Sequence, residues 1–397
     1  MSIAVYRSRG KRASSALIGR LFKQKTAMPP SEGSTGARPR SSLPALTGVR
    51  FFAAMQVVAF HFGAGFARRH GFSAPVQHLL DNGWVAVALF FILSGFILSY
   101  TYSHNITGRG SRARFWVARF ARIYPVYLLS LLLDIPFTEA TLPNKLAVLT
   151  MVQCWNPLRS WWSGAWNLPT WTLSCEAFFY LAFPFLLPAI QKVSNRILQG
   201  MAIALLLLIV FGHTMTNWPA AWLHTLWIPL PLLRLPEFLL GIAAGTLFLR
   251  NYRLSFGSVT ATVTIAAILF IELTITGPWI SLLVLPYILL IYSLAQEQGF
   301  WARILNAPAL VFLGGASYAI YLLQMPVRSW THVFLSGNHR IDGVDAFLSP
   351  LILIGFSCLV FRYLEEPTRR WIKKVFTGNP RRSAATLVVP LNSSERL

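Results

Sequence analysis

The chain has 397 residues and a formal net charge of +22; 55% of its residues are hydrophobic and only 12% are charged. This composition is too apolar for an ordinary soluble protein and excludes that class. Apolar runs recur with short polar gaps from residue 43 to residue 363. The sequence therefore predicts an all-α polytopic membrane protein of about ten transmembrane helices around a central cavity.

The positive charge follows a membrane topology rather than a nucleic-acid surface. Nine Lys and Arg residues and a single acidic residue, Glu32, precede the first apolar run. Most other basic residues lie in alternate loops and in the C-terminal segment, which is the positive-inside pattern. We therefore predict that both termini are cytoplasmic, that the charge attracts anionic lipid head groups, and that nucleic acid is not a partner.

Ten apolar runs are long enough to span a bilayer. They divide the chain into a basic, disordered cytoplasmic tail at residues 1–42, a membrane domain at residues 43–367 and a second basic cytoplasmic tail at residues 368–397. Three cysteines are too few for a disulfide framework, and no Cys/His cluster has zinc-ligand spacing, so no metal site is predicted. The predicted spans are 43–66, 82–103, 115–137, 167–190, 196–214, 227–249, 257–276, 278–295, 307–333 and 346–364.

The first span carries two ionisable residues, Arg50 and His61. Because ionisable groups at membrane depth are costly, they are functional-site candidates by default. Eleven residues are about three helical turns, so both side chains lie on nearly the same helix face, roughly 16 Å apart along the axis. That face must contact a protein interior or a cavity rather than lipid.

The next two spans contain a small-residue tripeptide and a pair of arginines. Ser-Gly-Phe at residues 94–96 is, on physical grounds, a site where helices can approach closely. Arg119 and Arg122 are three residues apart and share a helix face. They are either ordinary anchors at the cytoplasmic end or a phosphate site, since arginine binds phosphate through a fixed fork of donors. Pro125 would kink the third span and free backbone carbonyls toward a cavity.

The longest predicted outside loop, residues 136–166, is rich in tryptophan. An aromatic belt at the membrane interface is the simpler interpretation. A platform on which a sugar ring stacks is the alternative. The tryptophans are Trp155, Trp161, Trp162 and Trp166.

The fourth span holds a glutamate, Glu176, among aromatic residues that include Trp171 and Tyr180. No basic residue lies beside Glu176 in the sequence, so its carboxylate needs a partner from another helix or a hydrogen-bonded site. His61 or one of the arginines could supply that partner.

Later spans add further polar groups. Arg234 and Glu237 are three residues apart and predict a charge pair inside the bundle that shapes the cavity. Gln324, in the ninth span, can hydrogen-bond a substrate. The candidate cavity and substrate residues are Trp171, Tyr180, Arg234, Glu237, Tyr318 and Gln324.

The motifs on these spans resemble, in one order, those of the membrane-bound acyltransferase-3 family. The resemblance covers roughly residues 43–367. This chain departs from the family at Ala88, where many members carry an acidic residue, and at Gln324, where members often have histidine. The matching motifs are R-x10-H in the first span, FFILSGF in the second, R-x-x-R-x-x-P in the third, W-T-L-x-x-E-x-x-F-Y-x-x-x-P in the fourth, R-x-x-E-F-x-x-G in the sixth, S-Y-x-x-Y-L-x-x-x-P in the ninth and E-x-P after the tenth.

The resemblance implies an O-acyltransferase of the bacterial inner membrane. It would move an acyl group, with acetyl favoured, from acyl-CoA to a hydroxyl of a carbohydrate such as a cell-surface or exported polysaccharide. His61 would be the catalytic base, and the three arginines Arg50, Arg119 and Arg122 would bind the donor. We infer in addition that Glu176 is catalytic and orients His61 or stabilises its protonated form. Acyl-CoA is a substrate, so no bound cofactor is expected.

Two other classes of protein compete with this interpretation. A secondary transporter or flippase for a glycan or lipid-linked substrate also suits intramembrane Arg, His and Glu and proline-broken spans. The sequence contains no internal repeat, which disfavours transport. A structural membrane subunit would explain neither the shared face of Arg50 and His61 nor the ordered motifs. The oligomeric state stays open.

Overall fold

The structure, a computed structural model, describes residues 22–24, 42–104, 106–156, 166–216, 228–254, 257–297, 299–336 and 343–377. Its strands are β1 (Phe22–Gln24) and β2 (Tyr252–Leu254), which pair antiparallel with Phe22 opposite Leu254. Its helices are α1 (Pro44–Arg69), α2 (Ala74–Asp81), α3 (Ala86–Tyr102), α4 (Arg109–Asp134), α5 (Leu142–Leu149), α6 (Trp171–Gln191), α7 (Asn195–Thr216), α8 (Leu230–Leu233), α9 (Leu235–Leu249), α10 (Gly257–Thr274), α11 (Val284–Leu294), α12 (Phe300–Leu305), α13 (Pro308–Thr331), α14 (Ser349–Val360) and α15 (Glu366–Thr377).

Short segments of tighter or wider helix join several of these elements. They lengthen the apolar helical stretches, because most of them continue directly into the neighbouring α-helix. The 3₁₀ segments are Asn82–Val85, Ile135–Phe137, Leu168–Thr170 and Gly277–Leu283, and the π-helical segments are His332–Ser336, Val344–Leu348 and Phe361–Glu365.

The predicted all-α membrane architecture is confirmed. Within the described residues, nine helical stretches are long and apolar enough to cross a membrane, and each coincides with a predicted span. The remaining predicted span, 278–295, is the shorter apolar helix Trp279–Leu294. Large apolar side chains such as Leu207 and Phe270 are exposed on the outer helices α7 and α10, as lipid contact requires. The chain is therefore a multi-pass membrane protein.

Glycines allow two pairs of helices to approach within backbone contact. A Cβ atom added to Gly95 of α3 would overlap the carbonyl oxygen of Phe238, and one added to Gly241 of α9 would overlap that of Ile92. The predicted packing role of the tripeptide at 94–96 is thus confirmed. Likewise, Gly314 of α13 lies against the backbone of α1, and this contact holds the span that carries Arg50 and His61 against α13.

The predicted tails lie mostly outside the described residues. β1 belongs to the N-terminal tail, and its pairing with β2 places it beside the loop after α9, a loop that the charge pattern also predicts to be cytoplasmic. At the other end, α15 begins at Glu366 and crosses the predicted boundary at residue 367. Pro367 is compatible with this helix because it occupies the first turn, where a missing N–H breaks no helical hydrogen bond.

Candidate active site

A cavity that encloses about 400 Å³ lies between α1, α3, α6 and α13. Its polar wall is formed by Arg50 of α1, Glu176 of α6, and Tyr318 and Tyr321 of α13. The rest of the wall consists of apolar or small residues, so Arg50 and Glu176 are the two charged residues that line it. The remaining lining residues are Val87, Phe90, Phe91, Thr172, Leu173 and Ser317.

Arg50 and Glu176 face each other across this cavity. Among the groups that act electrostatically on Glu176, Arg50 has the largest effect, and the Tyr180 hydroxyl also interacts with the carboxylate. Of the two kinds of partner predicted for Glu176, the structure thus provides an arginine. His61 is instead surrounded by groups of α1 and α13. The inferred orientation of His61 by Glu176 therefore has no support in this geometry.

Tyr180 connects α6 to two other helices, α3 and α4. Its hydroxyl lies 3.4 Å from the Ser94 hydroxyl on α3, and its backbone carbonyl accepts a hydrogen bond of 3.1 Å from the indole N–H of Trp116 on α4. Tyr180 also interacts with Glu176, one turn earlier on α6, so contacts with α3 and α4 position the residue beside the carboxylate. It is a supporting residue of the cavity wall.

Arg122 is engaged by a residue that the sequence did not single out as a partner. Its guanidinium forms an ion pair with Glu365, whose side chain is fully buried. Nη2 also donates to the Gly315 carbonyl at 3.5 Å, and the group lies 5.6 Å from the centre of the Tyr318 ring. The hydroxyl of Tyr318 donates to the carbonyl of Ile123 at 2.7 Å, close to the proline in α4. Arg122 thus joins α4 to the C-terminal end of the membrane domain.

Arg119 has different surroundings, although it is on the same helix face. Its guanidinium packs over the rings of Tyr102, Phe115 and Tyr180, with centroid distances of 5.8, 5.8 and 6.0 Å. Nη2 donates a long hydrogen bond of 3.5 Å to the Tyr102 hydroxyl. Within the described residues it makes no ion pair with a carboxylate. Of the two arginines in the R-x-x-R motif, Arg119 is the one whose charge is available to a ligand.

His61 lies beyond the cavity, next to Gln324 of α13. Its Nδ1 is 3.0 Å from the Val57 carbonyl oxygen, and because a carbonyl only accepts, Nδ1 carries the hydrogen. Nε2 is then the atom with the free lone pair. Arg328 donates to the His61 carbonyl at 3.0 Å and packs over Phe62 at 5.5 Å, which fixes this part of α1 against α13.

The predicted charge pair of the sixth span is present. Arg234 Nε lies 3.1 Å from Glu237 Oε2, and both side chains are more than nine-tenths buried. The Arg234 guanidinium packs 5.9 Å from Trp171 and 5.5 Å from Phe91, which lines the cavity. The Arg234–Glu237 pair therefore packs against residues of the cavity wall and stabilises their positions.

The structure brings the predicted site residues into three neighbouring groups. Arg119 lies nearest the predicted cytoplasmic end, Arg50 and Glu176 face each other in the cavity, and His61 meets Gln324 farther along α13. Sequence reasoning missed Glu365 as a partner of Arg122, although Glu365 belongs to the E-x-P ending that carried part of the resemblance. It also missed Arg328 of α13, which donates to the His61 carbonyl.

Part of the tryptophan-rich loop can be located. Trp166 is buried, with Lys145 5.9 Å from its ring centroid, and Trp155 packs edge-on against Phe178 at 5.1 Å. The other two tryptophans, Trp161 and Trp162, lie outside the described residues. Trp166 is thus a packing residue, and Trp155 is half-buried with one edge-on aromatic contact.

A family model for the acyltransferase domain matches residues 43–362, which is most of the chain and includes all of these groups. The chain belongs to the acyltransferase-3 family. It is 31% identical over 321 residues to acyltransferase MdmB of Streptomyces mycarofaciens, covering 75% of this chain and 81% of that protein. It is 23% identical over 374 residues to peptidoglycan O-acetyltransferase OatA of Listeria monocytogenes, covering 83% of this chain.

The chain spans only 56% of the length of the Listeria protein. No solved structure matches it. Family membership nevertheless confirms the predicted enzyme class, so the chain is an O-acyltransferase embedded in a membrane.

Proposed function

We propose that this enzyme moves an acyl group, with acetyl favoured, from acyl-CoA to a hydroxyl of a carbohydrate such as a cell-surface or exported polysaccharide. The donor would enter from the cytoplasm, and the membrane would be the bacterial inner membrane. The proposal is supported by the arrangement of the polar groups: Arg119 and Arg122 on α4 near the cations of α15, Arg50 and Glu176 in the cavity, and His61 eleven residues after Arg50 on α1.

Arg119 is the donor-binding residue with the strongest case. CoA carries a diphosphate and a 3′-phosphate, and an arginine that makes no ion pair within the described residues can offer its donors to them. Arg369 and Lys373 of α15 lie close enough to Arg122 and Arg119 to interact electrostatically with them. This cluster of cations favours a polyanion at the cytoplasmic end.

Arg50 and Glu176 would act on the donor from the cavity wall. Their mutual attraction holds both side chains toward the cavity, where Arg50 can contact the acyl-CoA arm as it passes toward His61. In this scheme Glu176 acts through Arg50 and Tyr180 rather than through His61. Its role is to keep the cationic group in place.

His61 would act as the general base. The acceptor hydroxyl donates its proton to Nε2 while its oxygen bonds to the thioester carbonyl carbon. The carbon–sulfur bond then breaks, and the leaving CoA thiolate takes the proton back from the imidazolium. An imidazole suits both steps because its ordinary pKa lies near working pH.

The single observation that carries the proposal is the hydrogen bond from His61 Nδ1 to the Val57 carbonyl. It fixes the ring so that the basic nitrogen, Nε2, points away from its own helix. A histidine held in this tautomer at membrane depth is arranged to accept a proton.

The test is CoA release by the purified protein from acetyl-CoA, with and without crude cell-envelope glycan. We expect release that requires the glycan in the wild type and is lost in His61→Ala. His70→Ala is the matched control, since His70 makes the same Nδ1 bond to the carbonyl four residues earlier, at 3.1 Å, but is exposed. Full activity in a folded His61→Ala protein would refute the role of His61. No release with any acyl-CoA would favour the transport alternative.

A further inference from the structure

The amide of Gln324 has a fixed orientation next to His61. Its Nε2 donates to the Tyr321 carbonyl at 2.8 Å, and because a carbonyl cannot donate, the nitrogen must be the atom at that end. Oε1 therefore points the other way. It is buried, in a side chain with 0% exposure, and has no hydrogen-bond partner among the described residues.

Two hydrogen-bond acceptors thus lie side by side. Gln324 and His61 are neighbours, because Arg328, one helical turn after Gln324 on α13, donates to the His61 carbonyl at 3.0 Å, and the two side chains interact with each other. His61 cannot satisfy Oε1, because its one ring hydrogen is committed to the Val57 carbonyl. What remains is a lone pair on His61 Nε2 beside a lone pair on Gln324 Oε1. A buried acceptor that stays unpaired is costly, so this arrangement favours a ligand that brings donors to both atoms.

We propose that His61 Nε2 and Gln324 Oε1 together recognise a vicinal diol of the acceptor substrate. One hydroxyl donates to His61 and is acylated; the neighbouring hydroxyl donates to Gln324. A single hydroxyl has one hydrogen and satisfies only one of the two atoms. Gln324 is therefore a specificity-determining residue, and the substrate class is a carbohydrate acylated beside a free hydroxyl.

This inference rests on the proposed function, since it assigns a substrate feature to the same site. The neighbourhood is suited to recognition because it is held rigidly. Arg328 anchors the His61 carbonyl, and Gln324 is held to Tyr321, which is itself bonded to the Pro169 carbonyl at 3.3 Å. A site with fixed polar atoms rejects an analogue that lacks the matching hydroxyl, because the atoms are then left unpaired.

The experiment compares kcat/KM for 1,2-cyclohexanediol and for cyclohexanol, with acetyl-CoA as donor, in the wild type and in Gln324→Leu. These acceptors differ only by the neighbouring hydroxyl. We expect the wild type to prefer the diol by about tenfold or more and the variant to lose most of that preference. Where the small rings are not acylated, the same ratio is measured for the sugar unit of the active glycan and its deoxy analogue, which keeps the acylated hydroxyl and lacks the neighbouring one.

Gln153→Leu is the matched control. Gln153 also donates its amide, to the Thr170 carbonyl at 2.8 Å, and also has an unpaired buried Oε1, but it does not adjoin His61. It should leave the acceptor preference unchanged. Gln324→Glu, which keeps an oxygen at this place, should retain more of the preference than Gln324→Leu. Thermal midpoints of all variants show whether each is folded.

Three results would overturn the proposal. An unchanged preference in folded Gln324→Leu would mean that water satisfies Oε1. An equal loss of rate for both acceptors would mean that Gln324 only stabilises the imidazolium. A wild type that does not distinguish the two acceptors would exclude diol recognition. Absence of CoA release from any acceptor is a different failure, since it removes the proposed function itself.

Discussion

The buried pair of Arg122 and Glu365 permits a quantitative test of how this membrane domain is held together. The Glu365 side chain is 0% exposed and that of Arg122 is 15% exposed. Removing one member of a buried ion pair leaves the other charge uncompensated and costs about 3–5 kcal/mol. We therefore expect Glu365→Gln to lower the free energy of unfolding by that amount. The double variant Arg122→Gln/Glu365→Gln should recover most of the loss, because it leaves no buried charge.

The assay is unfolding in mixed micelles of increasing SDS fraction, followed by far-ultraviolet circular dichroism, over a full double-mutant cycle. Glu366→Gln is the matched control, one residue away. Glu366 pairs with Arg369 at 2.9 Å and with Arg370 at 2.6 Å, and the Arg370 side chain is 72% exposed. Pairs of this kind contribute little, so the control should lose less than about 1 kcal/mol.

One pattern of results would refute this reasoning. If Glu365→Gln is as stable as the wild type while a fully stable Arg122→Gln raises KM for acyl-CoA, the arginine binds donor phosphate and the pair is incidental. The sequence resemblance assigned Arg122 to the donor, so the cycle decides directly between that role and the structural one.

Two further predictions concern the donor site and the packing. Arg119→Gln should raise KM for acyl-CoA by roughly 10- to 100-fold with kcat little changed, whereas exposed Arg114→Gln should not; steady-state kinetics checks this, and equal effects would argue against a specific phosphate contact. Gly241→Ala should destabilise by about 1–3 kcal/mol in the same unfolding assay, because its Cβ would overlap the Ile92 carbonyl. Gly200→Ala, with open space around the Cβ, should be neutral or slightly stabilising, and a similar loss in both would contradict the packing argument.

Much of the architecture could be predicted because apolar run length is a local property. Most predicted span boundaries agree with the helix boundaries of the structure within a few residues. The exceptions are places where the local sequence is compatible both with the end of a helix and with its continuation. Pro367 was interpreted as the end of the membrane domain, yet it occupies the first turn of α15. The predicted second span began at residue 82, whereas the helical stretch begins at Ala74. In both cases the helical structure extends beyond the predicted boundary, through residues that are also compatible with a helix end.

The partners of the charged residues could not be predicted in the same way. Helical spacing shows which residues share a face, as it did for Arg50 and His61, but it does not show which helix that face contacts. Glu176 was left with His61 or an arginine as partner, and only the cavity that α1, α6 and α13 line together selects Arg50. The Glu365 partner of Arg122 required the C-terminal end of the chain to fold back onto α4.

The ion pairs also separate the charged residues that are neutralised within the protein from those that can bind a ligand. Glu365 neutralises Arg122, Glu237 neutralises Arg234, and Glu176 attracts Arg50. Each of these charges is at least partly compensated within the protein, as the low dielectric of the bilayer requires. Arg119 makes no ion pair among the described residues, and the proposed acceptor pair of His61 and Gln324 lies on the far side of the cavity. Arg119 favours an anion and the acceptor pair favours hydrogen-bond donors, which are the features of the two substrates in the proposed transfer from a CoA thioester to a sugar hydroxyl.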